Sequence, residues 1–311
     1  MKGLVLLLAY TCFAATRHPL TNLVRAANKL DLSKNPLPKL FIIGEQKCGT
    51  SSLFSTLSDH LEVCENRLLD GDRSLKELEF FDSDASVPEL LREFPRYLQH
   101  FSQCPATQLR MDATPQYLSR NMTAQNIQEI YQSLGQDLSE LRFIIMVREP
   151  VNRVLSYYRH RVRKHGWFNE SLSEYVKERM DKYNDWLQTS SPGEFYTSKS
   201  SGIVKRGLYA NSIGYWFTKF DPSQFMILSL KQLLTDTPKV MDAVHNFIGV
   251  SPRRAEMHAA NVHHDSNTME APVPEGLEEF YEPHIKALFE LKNKYPGSFY
   301  DVPENPFSLE I

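Results

Sequence analysis

The chain predicts an α/β fold in which a parallel central sheet is flanked by helices. Three observations carry that expectation. Leu40–Ile43, Leu141–Val147 and Phe225–Leu230 are short unbroken apolar runs, the pattern of strands buried on both faces. Segments with helical spacing follow them, such as Leu53, Leu57 and Leu61 after the first run. Gly44 and Gly49 punctuate the first strand-to-helix joint, and Pro150 the second. With 311 residues, 41% of them hydrophobic, the chain is long and apolar enough to bury one large core.

In chain order, Lys2 and the apolar stretch Gly3–Ala15 fall short of the roughly 20 residues that span a bilayer. Residues 1 to 15 therefore read as a signal peptide or short anchor, with any membrane association confined to this end. Residues 16 to 37 are polar and close on Pro36, a stem before a domain over 38–311. The first strand and helix follow. Lys76–Asp82 comes after a polar loop, and Pro95–Phe101 predicts a helix with its proline in the first turn. Leu109–Asp112 reads as a short strand, Thr123–Leu134 as a helix, and Glu149-Pro150 opens another helix after the second buried strand. Leu172–Leu187 and Tyr209–Phe217 are further helices, and Pro238–Ile248 is an amphipathic one closed by Gly249. A last helix spans about Glu275–Lys294. The sequons at Asn121 and Asn169 suit a lumenal glycoprotein. A net charge of −3 marks no nucleic-acid binder, so an anionic partner must be met by a local patch.

The chemistry concentrates at two strand ends. Gly44-Glu45-Gln46-Lys47-Cys48-Gly49-Thr50-Ser51-Ser52 links the first strand to its helix. Its glycines allow close backbone approach, and its last residues stand where a helix start offers amides and hydroxyls, so the loop reads as a phosphate cradle. It differs from the nucleoside-triphosphatase loop, because Lys47 precedes the second glycine. Arg148 ends the second strand on the same sheet edge, a second anion contact with Ser156 on the following helix. A triphosphatase would favour an Asp there to hold Mg²⁺.

These two segments resemble the 5′-phosphosulfate loop and the 3′-phosphate motif of sulfotransferases, the second in Arg148-Glu149-Pro150 with Ser156 following. The pattern is similar to the Golgi branch that modifies heparan-type polysaccharides, over roughly residues 38–295. The resemblance implies a P-loop-like sulfotransferase fold and 3′-phosphoadenosine 5′-phosphosulfate as donor. It implies Lys47, Cys48, Gly49, Thr50, Ser51, Ser52, Arg148, Ser156 and Tyr209 around that donor, the last from Arg206-Gly207-Leu208-Tyr209. Glu77 falls on the family's base position, with Glu79 the alternative and Lys76 beside it. Asp112-Ala113-Thr114-Pro115-Gln116-Tyr117 resembles the acceptor segment, which places Asp112 and Thr114 near substrate; Ala113 stands where heparan enzymes usually have Lys. The cysteine-bracketed loop that closes over the donor in that branch is not visible between Asn261 and Glu275, and His263-His264 there makes a poor zinc site, so no metal is expected.

Lys47 is expected to stabilise the leaving oxygen and Glu77 to take the acceptor proton. The basic run Arg153, Arg159, His160, Arg161, Arg163, Lys164 and His165 spreads around much of a helix circumference, so some of it is expected to solvate an exposed face and some, Arg159 and Arg163, to meet an acidic polysaccharide. With Cys48 committed to the loop and a lumenal setting expected, Cys64 and Cys104 are left to form a disulfide. The reading is a secretory-pathway sulfotransferase, Golgi-lumenal or secreted, acting on a glycosaminoglycan hydroxyl. The alternatives are a catalytically inactive glycan-binding protein on the same fold and a nucleotide kinase.

Overall fold

A computed structural model describes residues 37–67, 76–165, 171–189, 202–254 and 272–300. The expected signal and all of the expected stem but Leu37, together with Asn169 and His263-His264, lie outside the described residues.

Five parallel strands form one sheet in the order β2-β3-β1-β4-β5. They are β1 (Leu40–Gly44), β2 (Val63–Glu65), β3 (Leu109–Ala113), β4 (Arg142–Val147) and β5 (Phe225–Ser229). Every residue of β1 and β5 is buried, as expected of strands covered on both faces. β1 is central, with Ile42 beside Ala113 of β3 on one side and Ile144 of β4 on the other. Phe41 packs against Phe81, Tyr131 and Phe143, which carries the main core through the sheet.

The helices are α1 (Thr50–Ser58), α2 (Val87–Gln99), α3 (Asn121–Ser133), α4 (Pro150–His165), α5 (Leu172–Thr189), α6 (Gly202–Lys205), α7 (Tyr209–Phe217), α8 (Leu230–Thr235), α9 (Thr237–Ile248) and α10 (Leu277–Lys294). Three local expectations change. α1 ends at Ser58, which leaves Leu61 outside the helix and exposed. Pro95 lies inside α2 rather than in its first turn, because the helix starts earlier, at a capping box in which Ser86 and Glu89 satisfy each other's backbone amides. The proline that opens it is Pro88. The edge strand β2 is the other addition; three residues are too few for periodicity to announce a strand.

A second apolar cluster joins α4, α5, α6 and α10 through Val154, Tyr175, Val204 and Tyr281. It seats the α6–α7 junction beside the C-terminal edge of the sheet. The expected Cys64–Cys104 disulfide is formed, with Cα atoms 5.8 Å apart, and suits an oxidising compartment. No described helix is long and apolar enough to cross a membrane.

Candidate active site

β1 and β4 are parallel neighbours, so the loops that leave them emerge side by side at the C-terminal edge, where open α/β sheets bind ligands. The first loop is fastened by its backbone. Glu45 N donates to Met146 O at 2.8 Å and Cys48 N to Glu45 O at 3.1 Å. Lys47 and Gly49 both take positive φ, 72° and 90°. At Gly49 a Cβ would stand 2.5 Å from Leu230 Cδ1, so glycine is demanded by conformation and by space. Gly49 caps α1 without a side-chain hydrogen bond, and the first-turn amides of Thr50 to Ser52 lead straight out of the loop. Among the loop's hydroxyls, Thr50 and Ser52 are buried and Ser51 is half-buried, as is Lys47.

The second loop is tied to the first. Arg148 Nη1 reaches Lys47 O at 3.4 Å, and Tyr209 Oη donates to Arg148 O at 2.8 Å while sitting 3.5 Å from Cys48 Sγ. Two expected donor contacts are thereby revised. Cys48 is fully buried and burial pushes its thiol up to about 12, so its side chain packs and only its backbone serves the loop. Tyr209 is 2% exposed, its hydroxyl occupied in joining the two loops. Arg148 is partly desolvated, which lowers its pKa without approaching neutrality. Ser156 is half-buried, two turns into α4.

The other flank is built from side chains on irregular backbone. Glu77 and Glu79 both take positive φ, 73° and 51°, and Glu77 N donates to Ala113 O at 3.1 Å. Phe80 and Phe81 anchor the segment, stacking on or edging against Tyr97 at 4.6 and 5.1 Å. Lys76 Nζ lies 2.6 Å from Glu77 Oε1; burial lowers the lysine and the carboxylate opposes that shift. Glu79 is exposed, and its pKa is raised by desolvation and by Asp82 and Glu77.

Asp112 and Thr114 do not present themselves to a ligand. Asp112 is fully buried and accepts hydroxyls from Tyr97 at 2.9 Å, Thr114 at 2.9 Å and Tyr117 at 3.1 Å. Tyr117 Oη in turn accepts from Phe80 N at 3.1 Å. Burial outweighs these three donors and pushes Asp112 up to about 6. The pair therefore holds the Phe80 segment against β3 from within the core.

The basic run on α4 also divides. Arg153 is fully buried and donates to the carbonyl of Ile203, so it belongs to the packing between α4 and α6. Arg161 is taken by Tyr157, through a 2.9 Å hydrogen bond and a ring contact at 5.3 Å. Arg159 is half-buried, and the side chain of Arg163 lies outside the described residues.

A sulfotransferase-domain family profile matches residues 37–270, most of the chain. The chain belongs to the sulfotransferase family. It is 25% identical over 221 residues to the human bifunctional heparan sulfate N-deacetylase/N-sulfotransferase 3, covering 70% of this chain and 23% of that protein. It is likewise 25% identical over 217 residues to the mouse heparan sulfate glucosamine 3-O-sulfotransferase 5, covering 70% and 55%. The chain thus spans from a quarter to about half of these relatives. A solved sulfotransferase from Alicyclobacillus acidocaldarius shares the fold, with a TM-score of 0.61 and 23% identity over 83% of this chain and 96% of that one. The family assignment displaces the nucleotide-kinase alternative.

Within this sulfotransferase, Glu45, Gln46, Gln116, Lys205 and Arg206, which sequence reasoning left without a role of their own, lie between the two flanks. Glu45 is fully buried, and burial raises its pKa against the opposing Arg206 and Arg153 cations. Arg206 reaches Gln46 and Gln116, and burial with Arg120 and Arg206 nearby pushes Lys205 down to about 8. The available signals were an acidic residue directly after an apolar strand and the basic pair before Gly207. Among the described residues, no group of three or more His, Cys, Asp or Glu side chains converges to hold a metal ion.

Proposed function

We propose that this sulfotransferase moves the sulfuryl group of 3′-phosphoadenosine 5′-phosphosulfate to a hydroxyl of a polysaccharide, a glycosaminoglycan, in the secretory pathway at the Golgi lumen. One observation carries the donor half: the Lys47 loop and Arg148 leave adjacent parallel strands and are hydrogen-bonded to each other, so two anion-binding elements share one edge. The backbone of residues 47–52 and the hydroxyl of Ser51 suit the 5′-phosphosulfate, and Arg148 with Ser156 suits the 3′-phosphate.

In the proposed reaction the acceptor oxygen forms a bond to sulfur as the sulfur–oxygen bond to the phosphate breaks in line with it. Lys47 neutralises charge building on the leaving phosphate oxygen. Glu77 takes the acceptor's proton, held in place by Lys76 at 2.6 Å. A polymeric anionic acceptor is supported by the heparan-acting relatives and by Arg159 and Arg163 on α4. The disulfide supports the compartment.

The test is incubation with labelled donor and a panel of polysaccharides. Transfer to an acidic polysaccharide that weakens with salt is expected, and replacing Arg159 and Arg163 should raise the acceptor KM and flatten the salt effect. Glu77→Gln should keep affinity for the desulfated donor product yet lose transfer, whereas Glu79→Gln should keep transfer. A neutral small alcohol accepted equally well, without salt dependence, would overturn the glycosaminoglycan assignment and leave sulfuryl transfer standing.

A further inference from the structure

We infer that Arg206 is a positioning residue that sets the spacing between the leaving-group loop and the segment carrying the general base; the inference rests on the reaction proposed above. Its guanidinium touches both flanks at once. Nη1 donates to Gln46 Oε1 at 2.7 Å, on the residue before Lys47, and Nη2 donates to Gln116 Oε1 at 3.0 Å, in the turn after β3. Gln116 extends the contact by donating Nε2 to Glu79 Oε1 at 2.5 Å, two residues beyond Glu77. The chain of contacts therefore runs from the lysine loop to the base segment through one rigid, planar fork.

The fork is itself held. Glu45 Oε1 lies 3.6 Å from Nη1 and also accepts Gln46 N at 2.7 Å, so one buried carboxylate orients both the arginine and the loop residue that the arginine grips. The backbone under Arg206 has little freedom. Tyr281 Oη donates to Val204 O at 2.7 Å, and a Cβ at Gly207 would stand 2.7 Å from the Tyr281 ring. Three residues on, Tyr209 fixes the Cys48 and Arg148 loops to the same strand of chain. Arg206 projects from a pinned site and bridges the two turns just beyond the ends of the paired strands β1 and β3.

The hydrogen bonds and ion pair of Arg206 go to Gln46, Gln116 and Glu45, so its effect reaches the chemistry through Gln46 and Gln116. Misplacement of reacting groups by about 1 Å costs roughly a hundredfold in rate. Lysine keeps the charge that Glu45 faces but presents a point donor in place of the fork.

The experiment measures steady-state transfer and, separately, affinity for the desulfated donor product, for wild type, Arg206→Lys and Gln116→Leu. Arg206→Lys is expected to lower kcat about thirtyfold, with the donor KM and product affinity changed less than about twofold. Gln116→Leu, which leaves the Glu45–Arg206–Gln46 contacts in place, is expected to lower kcat about tenfold with the same split. Wild-type kcat in both variants, or loss of product affinity in step with kcat, would overturn the positioning role. Product binding without transfer to any acceptor by the wild type would instead overturn the proposed reaction and this inference with it.

Discussion

The proposed donor flank and the proposed acceptor flank of the site are made by different means. On the donor side, a strand-to-helix loop is shaped by backbone hydrogen bonds, one obligatory glycine and a tyrosine that staples it to its neighbour. On the acceptor side, Lys76–Glu79 runs without regular structure and is held by aromatic packing and by hydroxyls on a buried aspartate. Backbone-made geometry tolerates many side chains but few conformations; side-chain-made geometry is the reverse.

Three experiments test the contrast, in decreasing order of effect. Lys47→Ala should lower turnover by two to three orders of magnitude, since one group stabilising transition-state charge contributes roughly 3 to 4 kcal/mol. Arg148→Ala should instead weaken donor affinity. Kinetics with independent donor binding separates them, and normal turnover in Lys47→Ala would remove the lysine from the chemistry.

The next change addresses the acceptor flank through pH. Asp112 is raised from 3.8 to about 6, so its native state favours the protonated acid. Its contribution to stability is therefore full below about pH 3.8 and is lost as pH rises through about 6. That loss amounts to about 2 to 3 kcal/mol. Denaturant midpoints between pH 4 and 8 should show this slope in wild type and not in Asp112→Asn; identical slopes would mean that the three hydroxyls hold the carboxylate ionised.

The smallest effect contrasts two positive-φ residues. Gly49→Ala should cost about 1 to 2 kcal/mol for the left-handed backbone and the contact with Leu230. Glu79→Ala, exposed and already a non-glycine at φ 51°, should stay within about 0.5 kcal/mol. Thermal melts compare them directly, and equal costs would erase the distinction between the flanks.

The same division explains what could be read from the sequence. Leu40–Gly44, Arg142–Val147 and Phe225–Ser229 were legible because strands buried on both faces must be apolar throughout, and the donor loop was legible because glycine spacing is a local property. The Gln46–Arg206–Gln116 contacts were not, because their partners lie 160 and 90 residues apart in sequence and nothing local requires them. Arg153 misled for a related reason: a charged residue in a basic helix reads as exposed, and only the packing of α6 across it reveals a buried site. Asp112 matched an acceptor motif by sequence, yet whether a carboxylate faces a ligand or the core is decided by tertiary placement.

The sheet's margins have a consequence for self-association. Beyond β5, Phe299 pairs with Ile227 and Tyr300 N donates to Ile227 O at 3.1 Å, so the first rungs of that margin are already taken by the chain's own tail. The opposite margin is β2, three residues long and covalently fastened through Cys64 to Cys104. Among the described residues, neither side presents the long unpaired ladder on which two sheets zip together or an unfolded neighbour nucleates a fibril. At high concentration, copies of this chain would meet through helix faces and not by adding strands.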